Sequence, residues 1–159
     1  MRPEECLGKL LLRNGFKMAV AESCTGGLIG GAVTSVAGSS AYFRGGVIAY
    51  ENDVKRDVLG VSQKDLDTYG AVSAQVVESM ASGAARLFGC DCAVSVSGVA
   101  GPGGGSEEKP VGLVYIGVFL KGQVHNFRNV FEGSREEVRR QSVVSALEAL
   151  SRSIENYSN

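Results

Sequence analysis

Apolar positions along the chain follow two periods, and their order predicts the elements. Within Pro3–Asn14 the residues Cys6, Leu7, Leu10 and Leu11 form one helical stripe. Pro3 suits a first helical position, Glu4 and Glu5 the first turn, and Gly15 the stop. The unbroken run Met18-Ala19-Val20 reads as a buried strand. Leu28, Ile29, Ala32, Val33 and Val36 then share a helix face that ends near Gly38. Ala41 to Tyr50 reads as a longer strand, in which Gly45-Gly46 predicts a bulge or a ligand passing close. Glu51 to Gly60 is polar and short, a turn or a single helical turn carrying Lys55, and Asp65 to Gly70 reads as a short helix.

Ser73 caps the next helix, Ala74–Phe88, which Gly89 ends. Val76, Val77, Met80, Ala84, Leu87 and Phe88 line one side of it. Asp91–Gly98 is a strand with Cys92, Val94 and Val96 on one face. Ala93, Ser95 and Ser97, on the other, are small enough for a helix or a ligand to pack tightly. A glycine-rich loop, Val99 to Pro110, follows. Val111–Leu120 and Val124–Phe131 pair about Lys121-Gly122 as a hairpin. Ser134 with Glu137 is a capping box; it opens a final helix whose core side is Val138, Val143, Leu147, Leu150 and Ile154. Helices alternating with strands, broken by one hairpin, predict a layered α/β domain with a mixed sheet. At one edge of that sheet Ser23, the glycine-rich loop and the last helix start come together.

Composition narrows the possibilities. The 159 residues make a single domain, 1–159, with a sizeable core. Net charge is −1 with signs interspersed, so no basic face argues for nucleic acid. No apolar run approaches the roughly 20 residues of a membrane helix. Charges at Arg2, Glu4, Glu5 and Lys9 exclude a signal peptide, which leaves a cytoplasmic location as the default. Cys6, Cys24, Cys90 and Cys92 fit no zinc spacing, and the only histidine is His125, so neither a metal nor a cofactor is expected. Cys90 and Cys92 read as inert thiols on the Val94 and Val96 face.

The chemistry concentrates in Ala21-Glu22-Ser23-Cys24-Thr25-Gly26-Gly27, at a strand-to-helix turn. Free amides at a helix start stabilise an anion or a developing oxyanion, and a hydroxyl beside them has the setting of a serine nucleophile. Gly26 and Gly27 leave room for a ligand near the backbone. Read alone, Ser23 or Thr25 equally serves as a helix cap, and Cys24 is a rival nucleophile because a helix N-terminus lowers thiol pKa. The loop Gly101-Pro102-Gly103-Gly104-Gly105-Ser106 lacks both the Walker and the dinucleotide spacing. It can instead form an anion nest. Arg135 and Arg139 stand at a helix start, where a cation is mildly unfavourable unless an anionic ligand is near; otherwise they are surface charges. Gly101, Gly104, Ser106, Arg135 and Arg139 are therefore candidates for a phosphate, with Lys109 competing.

Five segments, in order over nearly the whole chain, resemble the CinA C-terminal domain family: Ala21–Gly27, Gly45–Asn52, Gly70–Ser73, Ser97–Pro102 and Lys109–Gly112. The resemblance is to the stand-alone form, without a molybdopterin-binding-like N-terminal domain. It implies a three-layer α/β/α fold with a mixed, mostly parallel sheet, and association as a dimer. The activity implied is hydrolysis of nicotinamide mononucleotide to nicotinic acid mononucleotide and ammonia. A serine mechanism is implied for Ser23, Tyr50 and Lys55. An amide carbon needs a nucleophile, and a neutral serine needs a base. With no usable histidine, Lys55 fills that role if its pKa falls. Tyr50 relays the proton or holds the lysine, and amides near Thr25 and Gly26 receive the oxyanion. Without the resemblance, Tyr50 reads as a packing residue and Lys55 as a solvated charge. A non-catalytic binding module and an amidohydrolase for another small amide are the alternatives.

Overall fold

The computed structural model describes all 159 residues. In chain order they form α1 (Pro3–Asn14), β1 (Met18–Glu22), α2 (Leu28–Thr34), β2 (Phe43–Ile48), α3 (Asn52–Leu59) and α4 (Gln63–Tyr69). Then come α5 (Ala74–Phe88), β3 (Cys92–Gly98), β4 (Leu113–Leu120), β5 (Gln123–Val130) and α6 (Arg135–Ser158). The sheet order is β2-β1-β3-β4-β5. β1 pairs parallel with β2 and with β3, while β4 is antiparallel to both its neighbours. Four of the five strands thus run one way and only β4 runs back. Lys121 and Gly122, at φ 49 and 87, make the two-residue turn between β4 and β5, as the right-handed twist of a hairpin prefers.

The sheet separates two apolar layers. α1, α2 and α6 cover one face, where Met18, Val20, Val94, Val96, Ile116 and Leu150 are buried. α5 covers the other, with α3 and α4 packed against it. Each large side chain so buried contributes about 2 kcal/mol. The small face of β3 admits α5: Ser95 Oγ donates to the Val77 carbonyl at 2.5 Å, and a Cβ at Gly117 would overlap that same carbonyl.

Several boundaries move from their sequence expectation. α2 starts at Leu28 and stops at Thr34 rather than running to Gly38, and a turn followed by a 3₁₀ segment at Ser39–Ala41 leads on to β2. Residues 52–59 form a complete helix instead of one turn. The register against β1 shifts at Arg44, just before Gly45-Gly46, and the space beside Gly46 is filled by Val20. Cys90 precedes β3 and packs on the α5 side, so it does not share the face of Cys92.

β1 and β3 are neighbours whose chains leave in opposite directions, one toward β2 and the other toward β4. Ligands of open α/β sheets bind in the crevice outside the carboxyl ends of two such strands. Ser23 and the loop after Gly98 lie there.

Candidate active site

Ser23 continues β1 by one residue: its N–H donates to the Val96 carbonyl at 3.1 Å. This anchors the side chain to the rigid centre of the sheet, and the residue is only 8% exposed. Lys55 reaches it from α3. A Cβ at Gly83 of α5 would overlap the Leu59 carbonyl, so α3 approaches α5 backbone to backbone at its C-terminal end. The Lys55 side chain is 1% exposed, and its Nζ lies 3.2 Å from Ser23 Oγ and 3.0 Å from the Tyr50 carbonyl oxygen. Burial holds its pKa below the ordinary lysine value, because desolvation disfavours the ammonium. A neutral amine next to a hydroxyl can accept its proton.

Ser23, Lys55, Tyr50, Asn52, Ser97 and Arg135 stand around a cavity of about 290 Å³, closed on one side by Val99 to Gly104. A wider groove of about 880 Å³ lies among α1, α2 and α6, sharing Arg135 with the cavity. It contains no nucleophile.

The structure brings together Ser23, Lys55, Gly101, Gly104 and Arg135. Tyr50 joins them at the rim, 62% exposed, and meets Lys55 through its backbone carbonyl rather than its hydroxyl. Ser106 is not among them. Its Oγ accepts from the Lys109 N–H at 3.0 Å on the outer side of the loop, and Lys109 Nζ is engaged with the Tyr69 carbonyl. Arg139 stands outside the cavity, its Nε donating to the Cys24 carbonyl at 3.0 Å and Nη2 to that of Thr25 at 3.3 Å. Arg135 spends one N–H on the Gly101 carbonyl, at 2.9 Å, of the five a guanidinium carries.

The helix start is also differently used. Glu22, 1% exposed, turns its carboxylate onto α2. Oε1 accepts from the Gly27 N–H at 3.2 Å, the Ile29 N–H at 2.9 Å and the Thr25 hydroxyl at 2.5 Å. Oε2 accepts from the Gly30 N–H at 2.9 Å. The positive end of α2 is thus occupied by the protein's own anion. The Gly26 N–H donates to the Ser23 carbonyl, at 3.1 Å, so it is spent as well. The unbonded amides of this turn are those of Cys24 and Thr25, one residue earlier than expected. The room expected beside Gly26 and Gly27 is taken by Arg139 and Ile48. Both glycines have positive φ, 59 and 106, which the tight turn requires.

Cys24 is 7% exposed, and burial pushes its thiol up to about 11. With α2 starting only at Leu28, no helix terminus offsets that burial, and a protonated thiol is a poor nucleophile. Sequence reasoning missed Glu22 and Asn52. Glu22 gave one signal, a carboxylate ending an otherwise apolar strand.

Comparison with known proteins places this architecture. Residues 2–154 match the CinA C-terminal domain family. A CinA-like protein of Rippkaea orientalis is 52% identical over 151 residues, 93% of this chain but 36% of its own length. The chain spans about a third of the length of most such relatives, as that one shows. A protein of Enterobacter agglomerans named nicotinamide-nucleotide amidohydrolase PncC is 51% identical over 143 residues, covering 89% of this chain and 87% of that one. The crystal structure of competence/damage inducible protein CihA from Agrobacterium tumefaciens superposes with a TM-score of 0.91 at 44% identity, over 96% of this chain and 95% of that one. The chain belongs to the CinA C-terminal domain family.

Proposed function

We propose that this chain hydrolyses the carboxamide of nicotinamide mononucleotide, with Ser23 as nucleophile and Lys55 as its base. The observation that carries the reading is the 3.2 Å approach of a buried lysine, its pKa lowered by that burial, to a serine hydroxyl at a cavity wall. The similarity to the Enterobacter agglomerans amidohydrolase supplies the substrate class.

Neutral Lys55 takes the Ser23 proton as Oγ attacks the carboxamide carbon. The negative charge that develops on the carbonyl oxygen is met by the Cys24 and Thr25 N–H groups. As the C–N bond breaks, Lys55 returns the proton to the nitrogen, which leaves as ammonia. Water then attacks the ester on Ser23, giving a proton to Lys55, and Oγ recovers that proton as the acid departs. Tyr50 holds Lys55 through its carbonyl, and its hydroxyl at the rim is the second candidate for proton transfer. Arg135 and the loop at Gly101 and Gly104 take the phosphate. The substrate is a small nucleotide and no nucleic acid is required.

Incubation with nicotinamide mononucleotide should release ammonia and nicotinic acid mononucleotide in equal amounts. Ser23→Ala should reduce turnover at least about 10³-fold while the protein stays folded. Cys24→Ala should keep it. The reverse pattern would make Cys24 the nucleophile, and no release from wild type would leave a binding module.

A further inference from the structure

The turn that carries Ser23 is gripped by two charged side chains that do not line the cavity. Glu22 holds its far end through the amides of Gly27, Ile29 and Gly30. Arg139 holds its middle, from a helix that begins 112 residues after Ser23 (135 less 23), by forking across the Cys24 and Thr25 carbonyls. The Arg139 side chain lines the wider groove among α1, α2 and α6 and not the cavity, although Cys24, whose carbonyl it holds, is part of the cavity wall.

We infer that Arg139 is a positioning residue for the reaction: it fixes the orientation of the Cys24–Thr25 peptide, and so the direction of the Thr25 N–H beside the nucleophile. The inference rests on Ser23 being that nucleophile. A peptide unit is planar and trans, so its N–H points opposite to its C=O. Where the Cys24 carbonyl is drawn to Arg139, the Thr25 N–H is turned away from it. The preceding peptide is fixed differently: the Ser23 carbonyl accepts from the Gly26 N–H, which sets the Cys24 N–H without help from α6. Of the two unbonded amides in the turn, only that of Thr25 therefore depends on a side chain for its direction. Thr25 itself is fully buried, with its hydroxyl on Glu22, so the residue that carries this amide is held at both ends. Gly26 fits the same scheme: it has φ 59, and a Cβ there would stand in contact with Arg139 Nη2 at 3.4 Å.

This reassigns Arg139 from the phosphate to the backbone, and the two roles separate in kinetics. A phosphate ligand acts mainly on KM, whereas a group that aims an oxyanion donor acts on kcat. The test is steady-state ammonia release from nicotinamide mononucleotide by Arg139→Lys and Arg139→Gln. It is paired with the rate at which a fluorophosphonate labels Ser23, a step in which an Oγ–P bond forms and fluoride leaves. Lysine keeps the charge and stem but cannot span two carbonyls, so it is the variant to use should glutamine fail to fold. Both variants should lose at least about tenfold in kcat and in labelling rate with KM within about threefold. A tenfold rise in KM at unchanged kcat, or full activity in Arg139→Lys, overturns this inference and leaves the nucleophile standing. Ammonia release that survives Ser23→Ala, or label found elsewhere in wild type, removes the nucleophile and the inference with it.

Discussion

Two of the helices that begin beside the cavity, α2 and α6, are capped in opposite ways. α6 is capped locally and in solvent: Ser134 Oγ accepts from the Glu137 N–H at 3.2 Å, and Glu137 returns the bond to the Ser134 N–H at 3.0 Å. α2 has no side-chain cap at Gly27 and is instead closed by Glu22, a buried carboxylate from the preceding strand. The difference separates two functions. The start of α2 cannot receive a substrate anion, since its amides are already used, so it serves as a rigid footing for Ser23. The start of α6 presents Arg135 to the cavity with most of its donors uncommitted. The turn before α2, with the Arg139 that grips it, should therefore set kcat, and the first turn of α6, with Arg135, KM.

Lys55→Met tests the first half most severely. kcat should fall about 10³-fold, the usual contribution of a general base, with KM little changed. The pH dependence fixes the sign. Lys55 must be neutral to act, so kcat should rise with pH through a value below that of an ordinary lysine. In the unfolded chain the same lysine holds its proton to higher pH. Its neutral form contributes stability that is complete above the unfolded value and is lost as pH falls through the folded one. Lys55→Met should thus stabilise the protein relative to wild type, more so at about pH 7 than at about pH 10. Chemical denaturation at both pH values reads the difference; equal gains would mean that Lys55 is not desolvated.

Glu22→Ala comes next. It leaves the amides of Gly27, Ile29 and Gly30 and the buried Thr25 hydroxyl without their acceptor, at a cost of about 3 kcal/mol in stability by urea titration. A cost under about 1 kcal/mol would put Glu22 on a par with an exposed cap and dissolve the contrast between the helices. Arg135→Ala should raise KM about tenfold, the equivalent of about 1.4 kcal/mol, with kcat unchanged. A fall in kcat instead would place Arg135 with the reacting atoms.

What could be read in advance follows the same division. The α5 bounds, the capping box of α6 and the β4–β5 turn were legible because each is encoded by residues within four positions of one another. Lys55 looked like a solvated charge because it lies in a polar segment, and the tight seat of α3 on α5, which buries it, depends on Gly83, far along the chain. The grip of Arg139 on the Ser23 turn spans more than a hundred residues and leaves no local pattern. Glu22 lies one residue from Ser23. Reading Ser23 or Thr25 as the helix cap leaves no place for it; the turn that runs on to Leu28 is what lets its carboxylate fold back onto the amides.

The smallest effect gives the finest test. Ser134→Ala removes one exposed acceptor, and the N-cap loss should cost about 1 kcal/mol, a drop of about 3 °C in Tm for a chain of this size. Fraying is confined to the first turn of α6, which holds Arg135 but not the next turn, where Arg139 binds the Cys24 and Thr25 carbonyls. KM should therefore rise by about twofold or less while kcat stays at its wild-type value. If kcat falls instead, disorder at the α6 start is reaching Ser23 through Arg139, and the two helix starts are one mechanical unit rather than two.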